Sequence, residues 1–146
     1  MGYFSSLDVS ASGMSAQRMR MDLISQNIAN ANTTRTENGT PYRRQTLLLG
    51  TNATNPFSNY LTGSARSILG DGKVKIKGIV QDQTDFRRVY EPDNPEADED
   101  GYVSYPNVDI VTEMVDMISA SRSYEANVTA STASKNMAMQ ALNIGR

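Results

Sequence analysis

Any chemistry in this chain has to come from carboxylates, lysines and tyrosines, because His and Cys are both absent. Their absence removes Cys/His zinc sites, thiolate nucleophiles, His-based triads and the usual general base near neutral pH. The densest carboxylate group is the run Glu91, Asp93, Glu96, Asp98, Glu99 and Asp100, six acids with no base among residues 91–100. Such a run invites a calcium reading. It lacks the ligand spacing and terminal Glu of an EF-hand loop, and Pro92 and Pro95 interrupt it, so it reads as a solvated turn. Gly70-Asp71-Gly72-Lys73 is similar in composition to a phosphate loop, but its spacing is wrong and Val74 stands where a hydroxyl is needed. A tight turn before a strand explains it. The expectation is therefore no catalytic residue, no metal, no cofactor and no small-molecule substrate.

The basic residues Arg43-Arg44, Lys73, Lys75, Lys77 and Arg87-Arg88 form a candidate patch. The pI of about 5.1 and the lack of interleaved aromatics argue against nucleic acid. Charge is unevenly spread. Residues 1–80 carry nine bases and four acids, for +5, whereas residues 81–146 carry five and twelve, for −7. Opposite halves of this kind could complement a neighbouring copy. The first residues lack the basic and apolar regions of a secretory signal, and no apolar run is long enough to span a membrane.

The elements that would carry these residues follow from composition. All five prolines lie between Pro41 and Pro106, and all eight methionines lie outside that stretch. Pro punctuates turns, while Met and Ala favour helix. The chain therefore divides into an N-terminal helix within residues 1–32, a β-rich middle at 33–106 and a C-terminal helix within 107–146. The expected fold is α+β: two long terminal helices forming an antiparallel coiled-coil-like pair, with a small β-rich middle region. Strands are expected at 42–49, 73–82 and 86–90, and a Thr/Asn/Ser-rich loop at 51–67.

Each helix carries an apolar stripe. Leu7, Ala11, Met14, Met21, Ile24 and Ile28 share one face of the first, at spacings of three, four or seven. Val111, Met114, Ile118, Val128, Met139 and Leu142 share one face of the second, which Asn107 is expected to cap. Ser121, Glu125, Thr132 and Lys135 interrupt the second stripe and Arg18 the first. One reading is an ordinary helix pair with a weak core. The preferred reading is a pair whose several faces all meet neighbours, because long Ala/Ser/Met helices without other cover are marginal alone.

Ser25-Gln26-Asn27-Ile28-Ala29-Asn30-Ala31-Asn32-Thr33 resembles the N-terminal motif of the bacterial flagellar axial proteins. Pro41-Tyr42-Arg43-Arg44, Phe86-Arg87-Arg88-Val89-Tyr90, Gly101–Val108 and Met117–Asn127 are similar to the rod members of that family, in the same order. The resemblance covers nearly the whole chain except residues 51–67. It implies a structural subunit of the proximal rod, polymerising through its terminal helices with other rod proteins and copies of itself. It also implies passage through the flagellar export apparatus to a periplasmic position. Asn27, Asn30 and Asn32 of the first motif and Tyr124 of the last join the two stripes as candidate partner-binding residues. Two alternatives stand beside it, a soluble adaptor or chaperone built on a helical hairpin, and an enzyme with no nameable site.

Overall fold

The computed structural model describes residues 3–51 and 72–144. The expected loop at 51–67 lies outside them from residue 52 onward, as do Gly70 and Asp71. Two helices bracket four strands, in the order α1 (Tyr3–Ala29), β1 (Gln45–Thr51), β2 (Val74–Gln81), β3 (Arg87–Tyr90), β4 (Tyr102–Tyr105) and α2 (Ile110–Ile144). This is the expected α+β arrangement of terminal helices around a small β region. The helices of 27 and 35 residues are about 40 and 52 Å long at ~1.5 Å per residue.

The helix ends have local causes. Asn30 stops α1: its Nδ2 donates to the Gln26 carbonyl at 2.9 Å, and the Thr33 hydroxyl donates to its Oδ1 at 3.2 Å. Such side-chain bonds compete with helical propagation. The start of α2 differs from expectation. Asp109, not Asn107, is the cap: its Oδ1 accepts from the Val111 amide at 3.1 Å and its Oδ2 from the Thr112 hydroxyl at 2.6 Å. Asn107 is committed elsewhere. Its Oδ1 accepts from the Arg44 amide at 2.8 Å, and its Nδ2 donates to the Asp82 carbonyl and the Thr84 hydroxyl. A side chain holding two strand ends together has no atom left for the helix.

The strands form two ribbons, β1 with β2 and β3 with β4. The second is antiparallel, with Arg87 opposite Tyr105, Val89 opposite Val103 and Tyr90 opposite Tyr102. Strand β4 was not expected as a strand. Its Tyr-Val-Ser-Tyr is short, and pairing with β3 is what extends it. The acidic run is the connection between these two strands. It turns through Gly101 at φ +78°, where a Cβ would lie 3.0 Å from the Tyr90 ring. Its carboxylates are partly engaged locally. Glu91 accepts from the Tyr105 hydroxyl at 3.1 Å, Thr34 donates to Glu96, and Arg88 pairs with Asp98 at 3.1 Å. The Glu91 carboxylate raises the Tyr105 phenol above its ordinary value, mainly through that hydrogen bond.

The chain divides into two compact units. One takes Arg20–Leu47 and Ile79–Ser119; the other takes Met1–Met19, Leu48–Gly78 and Ala120–Arg146. In the first, Arg20 reaches Asp116 at 3.3 Å while Asn27 reaches Glu113, so α1 and α2 run antiparallel there. Leu23, Ile24, Ala31 and Val103 are its buried apolar side chains. In the second unit Ala16 and Ala120 are the buried apolar side chains among the described residues. There α2 turns Tyr124, Asn127, Ser131, Ser134 and Ala138 inward, each half-buried. These positions alternate by three and four residues, the period of a coiled-coil seam. The seam is small and polar, and the approach is close: a Cβ on Gly13 would meet Asn127 Oδ1 at 3.0 Å. Ser12 ties β2 to α1, accepting from the Val74 amide at 3.2 Å, and Lys73 pairs with Asp8 at 3.0 Å.

Candidate assembly surface

The inward and outward faces of the helices do different work. A polar cluster lies where α1, β1 and α2 meet, inside the first unit. Asn27, 1 % exposed, uses both ends of its amide twice. Its Nδ2 donates to the Gln45 carbonyl at 2.9 Å and to Glu113 Oε2 at 3.0 Å. Its Oδ1 accepts from the Gln45 amide at 3.0 Å and the Tyr42 hydroxyl at 2.9 Å. That fills the full capacity of a carboxamide. The pair of bonds to Gln45 imitates a neighbouring strand, so one side chain fixes where β1 begins. This explains why the strand starts at Gln45 rather than at Tyr42.

Glu113 has no exposed surface. A buried carboxylate is costly unless it is paired and hydrogen-bonded. Arg44 supplies the charge: its Nε donates to Glu113 Oε1 at 2.6 Å, and its Nη2 to Asp116 Oδ2 at 3.4 Å. Burial and then the Glu113 charge push the Tyr42 phenol above its ordinary value, so it stays a donor to Asn27. The arginines of the candidate basic patch are engaged locally, whereas its Lys75 and Lys77 are exposed. Arg43 lies 4.3 Å from the Phe86 ring centre and donates to the Asp82 carbonyl, while Arg87 and Arg88 lie over Tyr105 and Tyr102. These guanidiniums hold aromatic rings and strand ends in place, with cation–π geometry.

The outward faces are apolar. In the first unit α2 exposes Ile110, Val111, Met114, Val115 and Ile118, with Val111 at 64 %. In the second it exposes Val128, Met137, Met139, Leu142 and Ile144. The sequence stripe Val111, Met114, Ile118, Val128, Met139 and Leu142 thus faces away from the chain's own packing. The reason is steric and electrostatic. Turning it inward would bury Glu125 and Lys135, whereas the Ala/Ser/Asn seam lets α2 approach closely without unpaired charge. On α1, Ile24 is buried, and Leu7, Met14, Met21 and Ile28 are half-buried. Tyr124 sits on the inward face, Asn30 serves the helix end, and Asn32 is exposed.

The sequence reading places Arg44 in a basic patch, Tyr42 in a family motif and Asn107 at a helix cap, and joins none of them to Glu113 in a cluster. Glu113 carried one usable signal. It falls in the same three-and-four series as Met117, Ala120 and Tyr124, a position where a lone acid demands a cation.

Two family descriptions match the ends of the chain: flagella basal body rod protein over residues 7–35, and flagellar basal body rod FlgEFG protein C-terminal over residues 99–144. The flagellar basal-body rod protein FlgC of Bacillus subtilis (strain 168) is 48 % identical over 98 % of this chain and 98 % of its own length. Its namesake from Borreliella burgdorferi is 44 % identical over 99 % of this chain and 98 % of its own. This chain belongs to the FlgC family. Aquifex aeolicus has a relative of the same name at 40 % identity over 94 % of this chain and 92 % of its own. The family matches fall on the two helices and their flanks, which carry the outward stripes and the Asn27 and Glu113 side chains of the polar cluster, while Tyr42, Arg44 and Gln45 lie between the two matches. Membership makes the chain a structural protein of the flagellar basal-body rod.

Proposed function

We propose that the chain polymerises through the outward faces of its terminal helices, packing beside other rod proteins and copies of itself to build the drive shaft across the periplasm. The observation that carries this reading is the outward row of large apolar side chains on α2. Contiguous apolar exposure of that kind marks an interaction surface. A helix with a tight polar seam inward and an apolar stripe outward is stabilised by neighbours rather than by its own chain. Among the candidate residues, Val111, Met114, Ile118, Val128, Met139 and Leu142 are the lateral contacts, with Leu7, Met14, Met21 and Ile28 contributing from α1. Asn27 and Ile24 act by holding the helices. The role is mechanical, with no enzymatic step, and the chain reaches the rod through the flagellar export apparatus.

The test is Val111→Asp and Ile118→Asp in the native gene. Each changes an exposed position, so unfolding of the purified chain should shift by no more than ~0.5 kcal/mol. Yet incorporation into basal bodies and swimming should be lost, because assembly would bury an unpaired carboxylate at a cost of several kcal/mol. Normal motility from both variants would refute the assignment of this face.

A further inference from the structure

Of the asparagines in the chain, Asn38 is the one that precedes a glycine. Asn38-Gly39 forms the tip of a turn between α1 and β1, inside the first unit. Thr36 closes that turn. Its amide donates to the Thr40 carbonyl at 2.9 Å, and its hydroxyl donates to the same carbonyl at 2.8 Å. The Gly39 amide donates to the Thr36 carbonyl at 2.8 Å. Gly39 sits at φ +75°, and a Cβ built there would meet nothing within 4 Å. Glu37, Asn38 and Gly39 are all exposed.

We infer that Asn38 is a self-modification site, at which the carboxamide is lost as ammonia and replaced by aspartate or isoaspartate. The Gly39 nitrogen gives up its proton and attacks Asn38 Cγ. The new N–Cγ bond closes a succinimide ring, and the Cγ–Nδ2 bond breaks. Nδ2 leaves as ammonia, so the proton lost from one nitrogen balances the proton gained by the other. Water then opens the ring. Addition at Cγ gives aspartate, and addition at the backbone carbonyl gives isoaspartate, in which the main chain runs through the side-chain carbonyl. The reaction needs water alone.

The surroundings favour Asn38 over the other asparagines. Glycine places no side chain beside the attacking nitrogen and turns freely about its backbone bonds. Asn27, Asn30, Asn94, Asn107 and Asn127 each donate from Nδ2 into the fold. Asn94 also precedes Pro95, which has no N–H to attack with. Asn136 and Asn143 lie within α2, where the following amides are held by helical hydrogen bonds. Asn32 precedes β-branched Thr33, whose amide is bonded to the Asn30 carbonyl at 3.1 Å. Asn52, Asn55 and Asn59 lie outside the described residues and precede Ala, Pro and Tyr.

The fold sets the rate. The Gly39 nitrogen must leave the Thr36 carbonyl before it can attack, so the turn has to open first and break the bonds from Thr36 to Thr40. The folded chain should therefore react more slowly than the unfolded one. Isoaspartate adds a methylene to the backbone of the turn. It also sets a carboxylate beside Glu37, next to a pocket that Gly39 lines together with Glu96 and Asp98. Both changes oppose closing the turn again.

Trypsin releases residues 36–43 as one peptide, in which Asn38 is the sole asparagine. The folded full chain, held in mildly alkaline buffer and sampled by mass spectrometry, should convert this peptide into two products, each with NH exchanged for O. One of them should accept a methyl group from an isoaspartate-specific methyltransferase. Conversion should run ahead of every other asparagine-containing peptide and accelerate with pH, because the attacking amide must lose its proton. Thr36→Val keeps the shape but removes the hydroxyl bond, and should speed conversion about two- to tenfold. Chain unfolded in urea should be faster still, and Asn38→Gln should abolish the methyl-accepting product. A 36–43 peptide that stays unchanged in the folded chain, or earlier conversion at another asparagine, would overturn the inference. Equal rates for wild type, Thr36→Val and the unfolded chain would overturn control by the turn.

Discussion

Asn27→Asp exchanges one NH₂ for one oxygen, yet it should be among the most damaging substitutions in the molecule. The Asn27 Nδ2 donates to two acceptors, the Gln45 carbonyl at 2.9 Å and Glu113 Oε2 at 3.0 Å. A carboxylate oxygen in that place loses both bonds and sets an anion against a carbonyl and a second, fully buried carboxylate. Two lost hydrogen bonds cost roughly 1–3 kcal/mol together, and an uncompensated buried charge raises the sum to about 3–5 kcal/mol. Against a typical stability of ~5–15 kcal/mol, that is about a fifth of the total or more. Urea unfolding followed by far-UV circular dichroism should show the midpoint falling at pH 7 with the slope unchanged. The pH dependence has a definite sign. Two carboxyls forced together take up a proton more readily folded than unfolded, so the deficit relative to wild type should shrink as pH falls from 7 towards 5. A variant within ~0.5 kcal/mol of wild type, or a deficit independent of pH, would show that Asn27 is not held in this network.

Arg44→Met should cost about 3–5 kcal/mol by orphaning the Glu113 carboxylate, and adding Glu113→Gln should recover part of it in a double-mutant cycle of thermal unfolding. Asp109→Ala should lower the melting temperature at neutral pH. The Thr112 hydroxyl and Val111 amide hold the Asp109 carboxyl below its ordinary range, so its contribution is complete above the unfolded carboxyl value near pH ~4. That contribution disappears as pH falls through the lower folded value, and melting curves of the two proteins should converge there. Gly101→Ala, at φ +78° and 3.0 Å from the Tyr90 ring, should destabilise by about 1–2 kcal/mol and alter the Tyr90 environment in an NMR spectrum. Amide exchange of the isolated chain should show stronger protection in residues 20–30 and 110–120 than over 130–144, where α2 turns large apolar residues outward.

The sequence by itself determined the architecture and the class of protein. Proline confined to the middle, methionine confined to the ends, and Asn-Ala-Asn-Thr after the first apolar stripe are local signals, and local signals place helices. The lack of His and Cys narrowed the available chemistry, and the motifs of both ends carried the family. The stripe of Val111, Met114, Ile118 and Leu142 was legible as a face, because spacing of three and four fixes which residues share a side. Which way that face points was not legible. Two interleaved series run along α2 with the same period, one apolar but broken by Glu125 and Lys135, the other made of Ala, Ser, Asn and Tyr. Only the tertiary structure decides between them, because closeness of approach and avoidance of buried charge depend on what α1 presents. The same holds for Asn107, whose sequence neighbourhood suits a helix cap. Its side chain goes instead to Arg44, Asp82 and Thr84, residues 63, 25 and 23 positions away. A buried polar network joins groups by geometry rather than by spacing, so Asn27, Tyr42, Arg44 and Glu113 become one cluster only when the helices and β1 are brought together.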